Sequence, residues 1–196
     1  MKLSKTEIDY INFVKGMNKY EPEWEKVSLM LALATEVDEL WQALPSGKNV
    51  KSVRISSTIE KIVIETGDVI WTCIAIGNAG IYKLNNDLIF GHLDIGYCLS
   101  YQACLEKVYP NPSNTLNVPM KSYPVKLVDI VNKLHFKNFY TKSGVYETAL
   151  YEAVLDICVI VGAVLSLYST TSYRLSVKDS IKKNTKKLIS QIGKER

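Results

Sequence analysis

The sequence predicts an all-α protein, a helical bundle, on three observations. Apolar residues recur at helical spacing, capping boxes stand at Ser4/Glu7 and Ser57/Glu60, and no segment alternates regularly enough to require a strand. The pattern predicts helices over about 5–19, 22–44, 57–80, 91–108, 125–136, 144–168 and 176–192.

Taken in order, the first helix starts from its Ser4/Glu7 box, and Pro22 suits the first turn of the second. The second carries the apolar stripe Leu29, Leu33, Leu40 and Leu44. The third is apolar in nearly every direction through Ile62, Val63, Ile64, Val69, Ile70, Trp71, Cys73, Ile74 and Ile76, so it should be buried nearly all round. The fourth follows in apolar surroundings, and then four prolines within Tyr109 to Pro124 mark an extended connection. That connection divides the chain into halves 1–108 and 125–196 of one helical domain. Setting Asp68 on Asp156 and Val37 on Val128 makes the second half a candidate degenerate tandem repeat of the first, with Glu36, Glu39 and Glu65 replaced by Leu127, Ile130 and Ala153. In the sixth helix the apolar run Ile157 to Leu167 is too short to span a bilayer, so no membrane association is expected.

Composition narrows the class. The chain has 196 residues, 47% hydrophobic and 22% charged, which is ordinary for one soluble globular unit. Its net charge of +4 is modest, and the excess lies in Lys178, Lys182, Lys183, Lys186, Lys187, Lys194 and Arg196, read as a solvated helical face in preference to a nucleic-acid surface. Cys73, Cys98, Cys104 and Cys158 lack zinc-knuckle spacing and are expected as reduced core residues of a cytoplasmic protein. His92 and His135 stand alone, without metal-ligand spacing.

Two acidic motifs, Glu36-Val37-Asp38-Glu39 and Glu65-Thr66-Gly67-Asp68, interrupt the apolar helices. At about 100° per residue, Glu36 falls on the leucine stripe of its helix, whereas Asp38 points away from it. Lys61, Glu65, Asp68 and Thr72 form one polar stripe on an otherwise apolar helix. Carboxylates brought to about 4 Å repel by about 4 kcal/mol per pair at an effective dielectric near 20. One lysine does not offset four acids, but Mg²⁺, with Mn²⁺ as its substitute, does. Carboxylates from two helices with phosphate oxygens complete the shell of such a hard cation without histidine or cysteine.

Glu36-x-x-Glu39, 25 intervening residues and Glu65-x-x-Asp68 together resemble the MazG-like nucleotide pyrophosphohydrolases of the all-α NTP pyrophosphatase superfamily. Gly67-Asp68-Val69-Ile70-Trp71 with Ala75 to Ile81 is similar to that family's second metal helix, and Asn184-x-x-Lys187-Leu188 to its late element. The chain departs from the family in its length and in the distance of Asn184 and Lys187 from Asp68. The resemblance implies that Glu36, Glu39, Glu65 and Asp68 bind Mg²⁺ and that water attacks a nucleoside triphosphate to give the monophosphate and pyrophosphate. It assigns Asn184 and Lys187 to ligand binding, and it implies either a homo-oligomer or two fused halves.

Within that chemistry Glu36, the acid deepest in an apolar face, is the candidate base. Lys48, Lys51 and Arg54 are either phosphate contacts or a solvated loop, and Lys61 either touches phosphate or neutralises Glu65. Trp41 is the candidate for stacking on the base and Asn78 for reading its edge. The alternative is a non-catalytic helical module that binds a nucleotide or a partner.

Overall fold

A computed structural model describes residues 3–17, 25–44, 56–80, 83–98, 124–129, 144–169 and 175–192. These residues are almost wholly helical and contain no strand, as the sequence predicts. The helices are α1 (Lys5–Met17), α2 (Glu25–Ala43), α3 (Ser56–Asn78), α4 (Asn86–Cys98), α5 (Gly144–Tyr168) and α6 (Val177–Ile192), with a short helical segment at 124–129 between α4 and α5.

α3 is the hub. It packs against α1, α2, α4, α5 and α6, which accounts for its apolar residues in every direction: Ile62, Val63, Val69, Ile70 and Cys73 to Ile76 are all buried. Its hydroxyls are satisfied within the helix, Thr66 Oγ1 donating to the Ile62 carbonyl at 2.6 Å and Thr72 Oγ1 to that of Asp68 at 3.1 Å. Gly80, at φ 61°, follows the end of α3 in the left-handed conformation that glycine adopts without strain. One continuous core joins residues from both halves of the chain, from Tyr10 through Leu127 to Ile181.

The second extensive pairing is α4 on α5. A side chain on Gly96 would run into the Val159 backbone, and one on Gly162 into the backbones of Leu93 and Tyr97, so the two helices approach at glycine faces. α5 thus has α4 as its main partner, whereas α3 has α2. The expectation about membrane length needs correction. Thr148–Tyr168 is long and apolar enough to cross a bilayer by length and composition, because Thr148 to Asp156 extends the run; within the structure an 18-residue stretch of it is 72% buried in protein.

Helix ends show where local signals were read correctly and where they were missed. At α1 the Ser4 amide donates to the Glu7 carboxylate at 2.5 Å, half of the expected capping box. α4 begins at Asn86 and not at 91, because the Asn85 side chain accepts from the Leu88 amide at 3.0 Å and caps the helix earlier. A further box, Ser176 with Asp179, starts α6: the Ser176 amide donates to Asp179 Oδ2 at 3.1 Å, and the Asp179 amide to Ser176 Oγ at 3.2 Å. Ser169 Oγ donates to the Leu165 carbonyl and accepts from the Leu175 amide, both at 2.9 Å, tying the end of α5 to the approach to α6. Pro22, the side chain of Ser57, His135, Cys104, the 109–123 connection and the far ends of the helices expected at 91–108 and 125–136 lie outside the described residues.

Candidate functional site

Three elements build the acidic site. α2 and α3 pack along one another and bring Glu36 to Glu65 and Asp68, with one carboxylate oxygen of each lying within 4.8 Å of the others. α6 then closes over Asp68. Its inward stripe is Val177, Ser180, Ile181 and Asn184, the spacing of one helical face, and Lys187 continues it. Gly67 permits the approach, since a Cβ there would stand 2.8 Å from Cβ of Asn184 and 3.0 Å from the Ser180 carbonyl oxygen.

Asp68 is buried, and both of its oxygens are engaged. Asn184 Nδ2 donates to Oδ1 at 2.6 Å, and Lys187 Nζ donates to Oδ2 at 2.5 Å. Behind Asn184, the hydroxyl of buried Tyr10 donates to Oδ1 of the amide at 2.8 Å. Burial, then the charge of Asp68 and then that of Cys73 push the Tyr10 hydroxyl well above its ordinary pKa, so it stays a donor. Burial pulls the Lys187 ammonium down, but its bond to Asp68 and the charges of Asp68, Glu65 and Glu36 outweigh this and raise it. Lys187 therefore serves as the site's own cation.

A single lysine leaves the acids under-compensated. Burial first, then Asp68, Glu39 and Glu65, push Glu36 up to about 7, with Lys187 pulling the other way. Glu65 is raised by burial, Asp68 and Glu39, and lowered by Lys187 and Lys61. Both groups hold protons more tightly folded than unfolded, so the stability these two contribute is fully present below the ordinary carboxylate range and is lost as pH rises towards 7. In chelator the melting temperature is expected to fall by several degrees between pH 5 and pH 7.5; millimolar Mg²⁺ should flatten that fall. A profile equally steep with and without Mg²⁺ would show that the ion does not relieve the repulsion.

Glu39, on the neighbouring turn of α2, is exposed and outside the group of three acids, although its charge reaches Glu36 and Glu65. Lys61 is exposed and acts on Glu65 through its charge. Asp38 is a surface group, as expected, and accepts from Gln42 at 2.6 Å. Trp41 is half-buried and packs against the core. Asn78 belongs to a different part of the molecule: its Nδ2 donates to the Ile11 carbonyl at 3.1 Å and its Oδ1 accepts from Asn86 at 2.9 Å, joining α1, α3 and α4. The amide expected to read a base edge is already engaged at both ends. Lys48, Lys51 and Arg54 fall outside the described residues.

The lysine-rich terminus is not uniformly solvated, because Lys183 pairs with Glu60 at 3.5 Å and Lys187 with Asp68. Cys98 is exposed and not a core residue, whereas Cys73 and Cys158 are buried as free thiols. His92 Nδ1 stands 2.8 Å from the Leu88 carbonyl, a structural contact. Sequence reasoning missed Tyr10 and the role of Gly67; the small residue between Glu65 and Asp68 was the available signal for the latter. The chain matches no protein-family model, no curated protein and no solved structure.

Proposed function

We propose that this chain is a Mg²⁺-dependent nucleoside triphosphate pyrophosphohydrolase of the MazG-like kind. The observation that carries the reading is the convergence of Glu36, Glu65 and Asp68 from two helices, their oxygens within 4.8 Å of one another. Mg²⁺ takes oxygen ligands at about 2.0–2.1 Å, so oxygens on opposite sides of one ion stand about 4 Å apart, and this donor set fits it after a small closure. Glu36, Glu65 and Asp68 would hold the ion, with Glu39 from the adjoining turn. When bound, it supplies positive charge to the triphosphate and acidifies water.

The chain's own groups have roles in the hydrolysis. Glu36, the acid set on the apolar face of α2, is the base that takes the proton of the attacking water. The water oxygen bonds to the α-phosphorus, the bond from that phosphorus to the bridging oxygen of the β-phosphate breaks, and pyrophosphate leaves with the electron pair. Lys187, released from Asp68 when a metal ion replaces it, and the exposed Lys61 would meet the phosphate charge. Asn184 keeps Asp68 oriented.

A second reading, a module that binds a nucleotide without turnover, is favoured by one observation: Glu39 stands outside the close acidic group. Pyrophosphate release from ribo- and deoxynucleoside triphosphates with Mg²⁺, measured beside Asp68→Asn, separates the two. The enzyme reading expects release that falls at least about a hundredfold in the variant. Nucleotide binding without release across the panel would leave the module.

A further inference from the structure

The hydrogen-bond chain from Tyr10 to Asp68 links residues 174 and 116 positions apart, joining α1, α6 and α3 through three buried side chains. Chemistry fixes the direction of each link. A carboxylate only accepts, so the end of the Asn184 amide that faces Asp68 must be its NH₂ group. The other end, the carbonyl oxygen, then needs a donor, and Tyr10 Oη is the group in place, 2.8 Å away. Tyr10 and Asn184 are 3% and 0% exposed, so no water substitutes easily for the hydroxyl. Asn184 therefore cannot turn its amide over without setting a carbonyl oxygen against the Asp68 carboxylate.

The two oxygens of Asp68 are held in different ways. Oδ1 is held by this buried, directional chain, whereas Oδ2 is held by Lys187, a long side chain that is itself 36% exposed. An incoming cation can displace the lysine but not the amide. Resting on the metal-site reading above, we infer that Tyr10 is a positioning residue: acting through Asn184, it fixes Asp68 so that Oδ2 is the oxygen offered to the metal ion. Neighbouring groups that orient ligating carboxylates are worth about ten- to a hundredfold in metal affinity.

The test uses the full chain and Mn²⁺ as the probe, with free Mn²⁺ followed by electron paramagnetic resonance. Tyr10→Phe, which removes one hydroxyl and keeps the ring, is expected to weaken Mn²⁺ binding at least about tenfold. In an Asn184→Ala background the same substitution is expected to cause no further loss, because the link it acts through is gone. Unchanged affinity in Tyr10→Phe, or losses that multiply in the double variant, would overturn the inference while leaving the metal site standing. Wild-type protein that binds no Mn²⁺ would overturn both the metal-site reading and this inference. A Tyr10→Phe chain that melts before binding can be measured would mark the tyrosine as structural and overturn the positioning role.

Discussion

Glu36→Gln is expected to lower pyrophosphate release at least about a hundredfold and, in chelator at pH 8, to raise the melting temperature. The two effects have one cause. At that pH the Glu36 carboxylate is ionised, and burial together with Asp68, Glu39 and Glu65 makes the charge unfavourable in the folded chain. Glutamine keeps the shape and removes the charge. After discounting for partial exposure, the gain is about 1–2 kcal/mol. For a chain of this size that is about 2–8 °C. At pH 5 the wild-type group is already largely protonated when folded, so the gain should shrink. A purely structural acid would behave in the opposite way, losing stability on neutralisation. Asp68→Asn supplies the contrast, since it removes the partner of Lys187 and should not stabilise. Thermal melts of both variants at the two pH values, run beside the pyrophosphate assay, check the prediction. A Glu36→Gln protein that is less stable at pH 8, or as active as wild type, would contradict it.

The largest stability effect is expected at the crossing of α4 and α5. Gly162→Ala and Gly96→Ala each place a methyl group against backbone of the opposite helix, and backbone cannot rotate aside as a side chain can. Each should cost about 3 kcal/mol or more, at the upper end of overpacking. That corresponds to a fall of about 6–12 °C in melting temperature. Once one methyl has pushed the helices apart, the second meets less resistance, so the double variant should lose less than the sum. Gly91 on the same helix is the internal control: a Cβ there meets nothing within 4 Å. Gly91→Ala should be neutral or stabilising by up to about 1 kcal/mol, because alanine restricts the unfolded chain. Thermal denaturation of the four variants decides the point, and equal stability of Gly91→Ala and Gly162→Ala would refute the close crossing.

Much of the fold was legible because helical periodicity is a local property. The apolar surroundings of α3 made it a central helix before any packing was known, and the observed hub agrees. The acids were legible for a related reason: Glu36, Glu65 and Asp68 sit on faces where a charge is costly, so they ask for a partner. Asn184 and Lys187 could be assigned only through the resemblance, since nothing within α6 says which helix its polar positions meet. Asn78 shows the converse. Its amide looked available for recognition because the sequence does not show Ile11 and Asn86 beside it.

By itself the sequence determined the all-helical class, the central place of α3 and a pair of helices carrying acids on costly faces, all of which depend on residue type at short spacing. Tertiary structure decided that Lys187 answers Asp68 across 119 positions of sequence, that Tyr10 holds Asn184 across 174, and that Gly96 and Gly162 bring two backbones together. The physical reason is the same throughout. Hydrogen bonds and steric contact act over a few ångströms, and only the packed helices bring such distant residues within that range.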